Sequence, residues 1–225
     1  APVACTALTA FVCTFTPDTY TPLVMERVDG LGDTVSPFPS LRFAFSMAVE
    51  NDNVSLYMEP EGESYYTQLN STHDTLALVV TGMLQGSTLY SVSPAEKIVG
   101  ATGSALQPRA VSFSFCTYPR EQEPNDTRDT SMRFENPIYG EIFNTHDTDY
   151  FCVDDAAGSG LYLRSHDAGV ALGLGIADTA GHDTTSRGIE PLKYVAVPDS
   201  MSRPLFARVF SVTGKGRYEL GAYQP

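Results

Sequence analysis

Apolar residues along this chain recur every second position. Leu41, Phe43 and Phe45 alternate with Arg42, Ala44 and Ser46, and Val111, Phe113 and Phe115 alternate with Ser112 and Ser114. Successive strand side chains point to opposite faces, so this period predicts β-strands with one face buried and one wet. Similar runs occur at Val54–Met58, Leu76–Val80, Leu89–Val92, Leu161–Leu163, Leu172–Ile176, Tyr194–Val197, Leu205–Val209 and Tyr218–Leu220. Turn formers separate them: Asp29-Gly30, Glu61-Gly62, Ala180-Gly181 and Gly214-Lys215-Gly216. No long segment keeps a helical period. Many short strands at this spacing predict an all-β chain of sandwiches or barrels.

One interruption stands out. The segment Cys116-Thr-Tyr-Pro-Arg-Glu-Gln-Glu-Pro-Asn-Asp126 is polar, acidic and broken by two prolines. It reads as a linker into a second unit. A length of 225 residues suits two modest domains. The expected organisation is an N-terminal extension over 1–19 and two tandem β-sandwich domains, over 20–118 and 119–225.

Within the first unit, Tyr20-Thr-Pro-Leu-Val-Met25, Leu41-Arg-Phe-Ala-Phe-Ser-Met-Ala-Val49, Ser87-Thr-Leu-Tyr-Ser-Val92, Ala101-Thr-Gly-Ser-Ala-Leu106 and Val111-Ser-Phe-Ser-Phe115 follow in order. This series resembles a bacterial Ig-like domain. The resemblance implies a seven-stranded sandwich used for spacing, presentation or adhesion. In the second unit, Glu121-Gln-Glu-Pro-Asn-Asp-Thr127 is followed by Ile138-Tyr-Gly-Glu-Ile142 and Asp147-Thr-Asp-Tyr-Phe-Cys-Val153. Leu205-Phe-Ala-Arg-Val209, a Gly-Lys-Gly turn and Tyr218-Glu-Leu220 come after. This order resembles the bacterial pre-peptidase C-terminal domain, a jelly-roll-like sandwich appended to exported proteins and related to the collagen-binding modules of collagenases.

That second resemblance implies a calcium site. Glu121, Glu123, Asn125 and Asp126 match the acidic entry segment, and Asp147, Asp149 and Tyr150 match the second, Tyr150 through its carbonyl. Calcium takes six to eight oxygen ligands, which two acidic loops folded together supply. The competing reading has Asp126 capping a turn and Asp149 opening a strand, with no ion. The collagen-binding relatives also carry a surface row of tyrosines. Tyr139, Tyr150, Tyr162, Tyr194, Tyr218 and Tyr223 are the candidates here, and sequence does not say which share a face.

Composition narrows the function further. Hydrophobic residues make up 42% and charged ones 18%, a globular balance. The net charge of −13 would repel a polyanion, which excludes nucleic acid as a partner. No run approaches the roughly 18 apolar residues of a membrane span. The chain opens on Ala1, so a signal peptide or lipid anchor is expected upstream and removed. Cys5, Cys13, Cys116 and Cys152 lack C-x-x-C spacing and are expected to be oxidised. Four cysteines allow three pairings, of which Cys5–Cys13 with Cys116–Cys152 is preferred.

No catalytic residues emerge. His73, His146, His166 and His182 fall in no H-E-x-x-H motif, no G-x-S-x-G elbow is present, and Gly173-Leu-Gly175 lacks a phosphate-binding context. The expectation is a non-enzymatic secreted, periplasmic or cell-surface module. Its expected partner is an extracellular protein or polysaccharide, with calcium as cofactor. The alternatives are a purely structural spacer, or an accessory region of a secreted hydrolase. An exposed aromatic or polar patch on one sheet would separate binding module from spacer.

Overall fold

The computed structural model of the chain describes residues 22–61, 64–106, 111–153 and 160–223. The extension over 1–19, Cys5 and Cys13 lie outside them. The described residues are nearly all β. The strands of the first half are β1 (Met25–Arg27), β2 (Thr34–Val35), β3 (Ser40–Phe45), β4 (Leu56–Glu59), β5 (Tyr65–Leu69), β6 (Thr75–Val80), β7 (Leu89–Pro94) and β8 (Phe113–Thr117). Those of the second half are β9 (Met132–Arg133), β10 (Ile138–Ile142), β11 (Thr148–Val153), β12 (Gly160–Ser165), β13 (Ala171–Asp178), β14 (Asp183–Ser186), β15 (Leu192–Ala196), β16 (Leu205–Thr213) and β17 (Gly216–Tyr223). No helix among the described residues is long and apolar enough to cross a membrane.

Sheets β1-β3-β6-β5 and β2-β8-β7-β4 enclose one core, and sheets β10-β17-β12-β15 and β14-β13-β16-β11-β9 enclose another. Pairing is antiparallel except β2 with β8 and β9 with β11. The first half thus has eight strands among its described residues, against the seven its resemblance implies. The period-two reading holds in detail on β3, where Leu41, Phe43 and Phe45 are buried and Arg42 is exposed. The β13 strand departs from alternation, being buried at every position. Its inner face joins the core through Leu172, Leu174 and Ile176. Its outer face is covered because Phe210 and Arg208 lie over Gly173 and Gly175, where any Cβ would strike them.

The expected Cys116–Cys152 disulfide is absent. Cys116 sits on β8 and Cys152 on β11, in sheets of different cores, and neither is disulfide-bonded. A disulfide needs Cβ atoms about 3.5–4.5 Å apart. An even count of cysteines carries no information about that separation.

The acidic segment is more than a solvated tether. Arg120 forms a parallel bridge with Tyr139, the Glu121 N–H donates to the Tyr139 carbonyl at 2.8 Å, and the Tyr139 N–H donates to Pro119 at 3.0 Å. The segment therefore extends the β10 edge as a short extra strand. Arg120 also donates to the Met83 carbonyl of the first sandwich at 2.8 Å. Phe38 of the first sandwich packs edge-on against Tyr139 and His166 at 5.5 and 4.7 Å, and the Arg217 guanidinium lies 5.0 Å from its ring centre.

A candidate metal centre at the junction

Glu121 enters the second core because its strand-like segment pairs with β10, which turns its side chain inward. It is buried, as are Asn125, Asp147, Asp149 and the aromatic Tyr218. Asp149 comes from β11 and Tyr218 from β17. The Tyr218 hydroxyl lies 2.5 Å from Glu121 Oε2 and 2.6 Å from Asp149 Oδ2. The Glu141 N–H donates to the other oxygen of Glu121. Gly140 makes the approach possible, since a Cβ there would strike both the Glu121 carboxylate and the Tyr218 ring.

Glu121, Glu123 and Asp149 each present an oxygen, all within 4.8 Å of one another. Asn125 completes the group. Its backbone is held by the Tyr150 N–H, which donates to the Asn125 carbonyl at 2.9 Å. With its amide nitrogen turned inward, Asn125 donates at 3.0 Å to both Asp149 Oδ1 and Glu123 Oε2. With the amide reversed, its oxygen joins theirs. Asp147 and Asp126 form an adjoining carboxylate pair, in which Asp126 is exposed and Asp147 accepts from the Phe143 N–H at 2.6 Å. Six of the seven residues matched in the sequence thus lie at one junction, four in the central group and two beside it, while Tyr150 takes part through its N–H to Asn125 rather than through its carbonyl.

A single hydroxyl has one proton to donate, and Tyr218 faces two carboxylates. One of them must carry a proton, or a cation must stand among them. Burial, and then the Glu121 charge, push the Asp149 carboxyl far above the usual carboxylate range. Burial likewise raises Glu121. Burial is the leading cause of the smaller upward shifts at Glu123 and Asp147. Two oxygens bound at about 2.4 Å to one hard cation stand no more than about 4.8 Å apart, a limit the Glu121, Glu123 and Asp149 oxygens meet. An all-oxygen set with no thiolate or imidazole disfavours zinc and copper. The residues therefore fit calcium.

No family model matches this chain, and no curated protein matches it. Solved structures do. The N-terminal part of the bacterial S-layer protein SbsC is 13% identical, with a TM-score of 0.32, over 91% of this chain and 45% of that one. The S-layer protein rSbsC(31-844) is 14% identical, with a TM-score of 0.31, over 91% of this chain and 26% of that one. Native alpha-2-macroglobulin from Escherichia coli, spanning domains MG0-NIE-MG1, is 10% identical, with a TM-score of 0.34, over 86% of this chain and 66% of that one. This chain spans less than half the length of the first of these. Superpositions this loose transfer no function.

The tyrosines sort by face. On the outer face of the β10-β17-β12-β15 sheet, Tyr162 lies opposite Tyr194, and the Tyr194 and Tyr223 ring centres are 5.1 Å apart. Tyr194 is 52% exposed and Tyr223 40%, so the apolar row is open to solvent. The Tyr162 hydroxyl donates to Glu219 at 2.6 Å. Tyr139 shares this face but is buried under Phe38 and Tyr118 of the first sandwich. Tyr218 points inward to the carboxylates, and Tyr150 belongs to the other sheet. Sequence reasoning missed Tyr218 as part of the site, because an inward strand tyrosine reads as ordinary core.

Proposed function

We propose that this chain is a non-catalytic, calcium-supported module of an exported or surface-displayed bacterial protein that binds an extracellular protein or polysaccharide. In this reading it comprises a bacterial Ig-like sandwich over 20–118 and a pre-peptidase C-terminal-like sandwich over 119–225. The observation that carries it is the convergence of Glu121, Glu123 and Asp149 oxygens, with the Asn125 amide against two of them, at the segment joining the two cores. Those four residues would hold calcium, with the Asp126–Asp147 pair beside them. The ion would supply the positive charge that allows Glu121 and Asp149 to be ionised together. Tyr218 and the Glu141 N–H orient the Glu121 carboxylate, and the Tyr139 carbonyl anchors its backbone. The open row of Tyr162, Tyr194 and Tyr223 favours a binding module over a bare spacer, since aromatic rings offer large contact area with few rotors.

Calorimetric melting in calcium and in chelator tests the reading. Calcium at about a hundred times its dissociation constant adds roughly 2.7 kcal/mol. The Asp149→Ala chain should lose most of that gain, and the Asp126→Ala chain a smaller part of it. Identical melting curves with and without calcium would reduce the carboxylates to a protonated buried cluster. Retention on immobilised polysaccharides and fibrous proteins tests the binding face: Tyr194→Ala should abolish retention and leave the melting temperature unchanged.

A further inference from the structure

The outer face of the β14-β13-β16-β11-β9 sheet carries a second unusual constellation. Arg187, just after β14, and Arg208, on β16, place their guanidinium carbons 5.3 and 5.5 Å from the same Phe210 ring centre. Phe210 lies across Gly173, and Arg208 across Gly175. Across the sheet the registers are Thr148–Phe210–Gly173 and Tyr150–Arg208–Gly175. Thr148, Tyr150, Arg208 and Phe210 of these rows line a recess of about 230 Å³ together with Arg187.

The recess has donors in excess of acceptors. Arg208 spends Nη2 on Asp183 at 2.6 Å, and its Nε–H is buried with no hydrogen-bond partner. The described residues give no acceptor to Arg208 Nη1, to the Arg187 guanidinium or to the Thr148 and Tyr150 hydroxyls. The chain has 27 carboxylate residues against 14 Lys and Arg, yet no described carboxylate pairs with Arg187. Stacking on one ring fixes both guanidiniums before any ligand arrives, which removes part of the ordering cost of binding. Asp147, whose one oxygen is taken by the Phe143 N–H, lines one wall and subtracts from the positive field.

We infer that this recess is a binding site for a single oxyanion group, the sulfate or carboxylate of a free anion or of an acidic sugar, held between Arg187 and Arg208 above Phe210. Planar guanidiniums match such oxygens two at a time, and the hydroxyls serve the remaining lone pairs. The Asp147 wall and the net charge of −13 select against densely charged polymers.

The test uses the intact chain at low ionic strength in chelator, so that its outcome is independent of the calcium reading. Sodium sulfate and sodium glucuronate are titrated in turn while backbone and arginine Nε–H resonances are followed by NMR. Saturable shifts are expected at Arg187, Arg208 and Thr148, with millimolar midpoints. Arg187→Gln, at an exposed position, should weaken both about tenfold, the scale of one charge-assisted bond. Lys215→Gln should change neither. An acidic oligosaccharide binding more tightly than glucuronate would assign the site to a glycan, and equal binding would assign it to free anions. Absence of saturable shifts at these residues, or equal affinity in the Arg187→Gln chain, would overturn the inference.

Discussion

Replacing Asp149 by Asn exchanges one fully buried carboxyl for an amide of the same shape. The ion-free folded chain keeps a proton on Asp149, because burial and the neighbouring Glu121 raise its pKa. The unfolded chain releases that proton above the ordinary carboxylate range, near pH 4. Between those limits the folded state binds more protons than the unfolded state, so Asp149 lowers stability as pH rises. The slope is about 1.4 kcal/mol per pH unit for one such proton, or about 2.7 kcal/mol between pH 5 and pH 7. Asn carries no titrating proton, and its contribution is flat. In chelator the Asp149→Asn chain should therefore gain on the wild type by about 2.7 kcal/mol over that interval, roughly 5–10 °C in melting temperature for a chain of this size. On the proposed calcium reading the order should reverse at pH 7 with the ion present, because Asp149 is one of the ligands in that reading. Urea denaturation followed by circular dichroism at pH 5, 6 and 7 reads both effects. A wild-type–variant gap that stays constant across this range in chelator would mean that Asp149 is ionised in the folded protein, and the reasoning fails.

Two further outcomes follow from the packing. Gly140→Ala should destabilise the chain by about 1–3 kcal/mol and blunt its response to calcium, since the new methyl displaces Glu121 or Tyr218; chemical denaturation with and without calcium reads both. Cys116 and Cys152 should both take up a thiol label in denatured, unreduced protein, as peptide mass mapping would show, and a linked pair of these peptides would contradict the fold.

What could be read from sequence follows from what each signal depends on. The strands were legible because alternation is a local property, and β3 displays it in full. The carboxylate site was legible because its donors come from two short segments, Glu121–Asp126 and Asp147–Asp149, whose acidic density is visible before folding. Tyr218 was not, because its role depends on β17 lying between β10 and β12, a matter of sheet order. Sheet register likewise decides that Tyr162, Tyr194 and Tyr223 share an open face while Tyr139 is covered. The cysteine pairing failed for the same reason: spacing along the chain says nothing about distance between two sheets.

The placement of Glu121 also has a mechanical meaning. It belongs to the segment that joins the sandwiches, yet its side chain ends inside one of them, hydrogen-bonded to Tyr218. Tension between the two sandwiches loads this segment, and lengthening the joint requires drawing a carboxyl group out of its buried hydrogen-bonded cluster while shearing the Glu121–Tyr139 and Tyr139–Pro119 hydrogen bonds. The resistance of the joint is thus set by solution chemistry. A proton at the buried end stiffens it, and its removal leaves a charged anchor that water pulls outward.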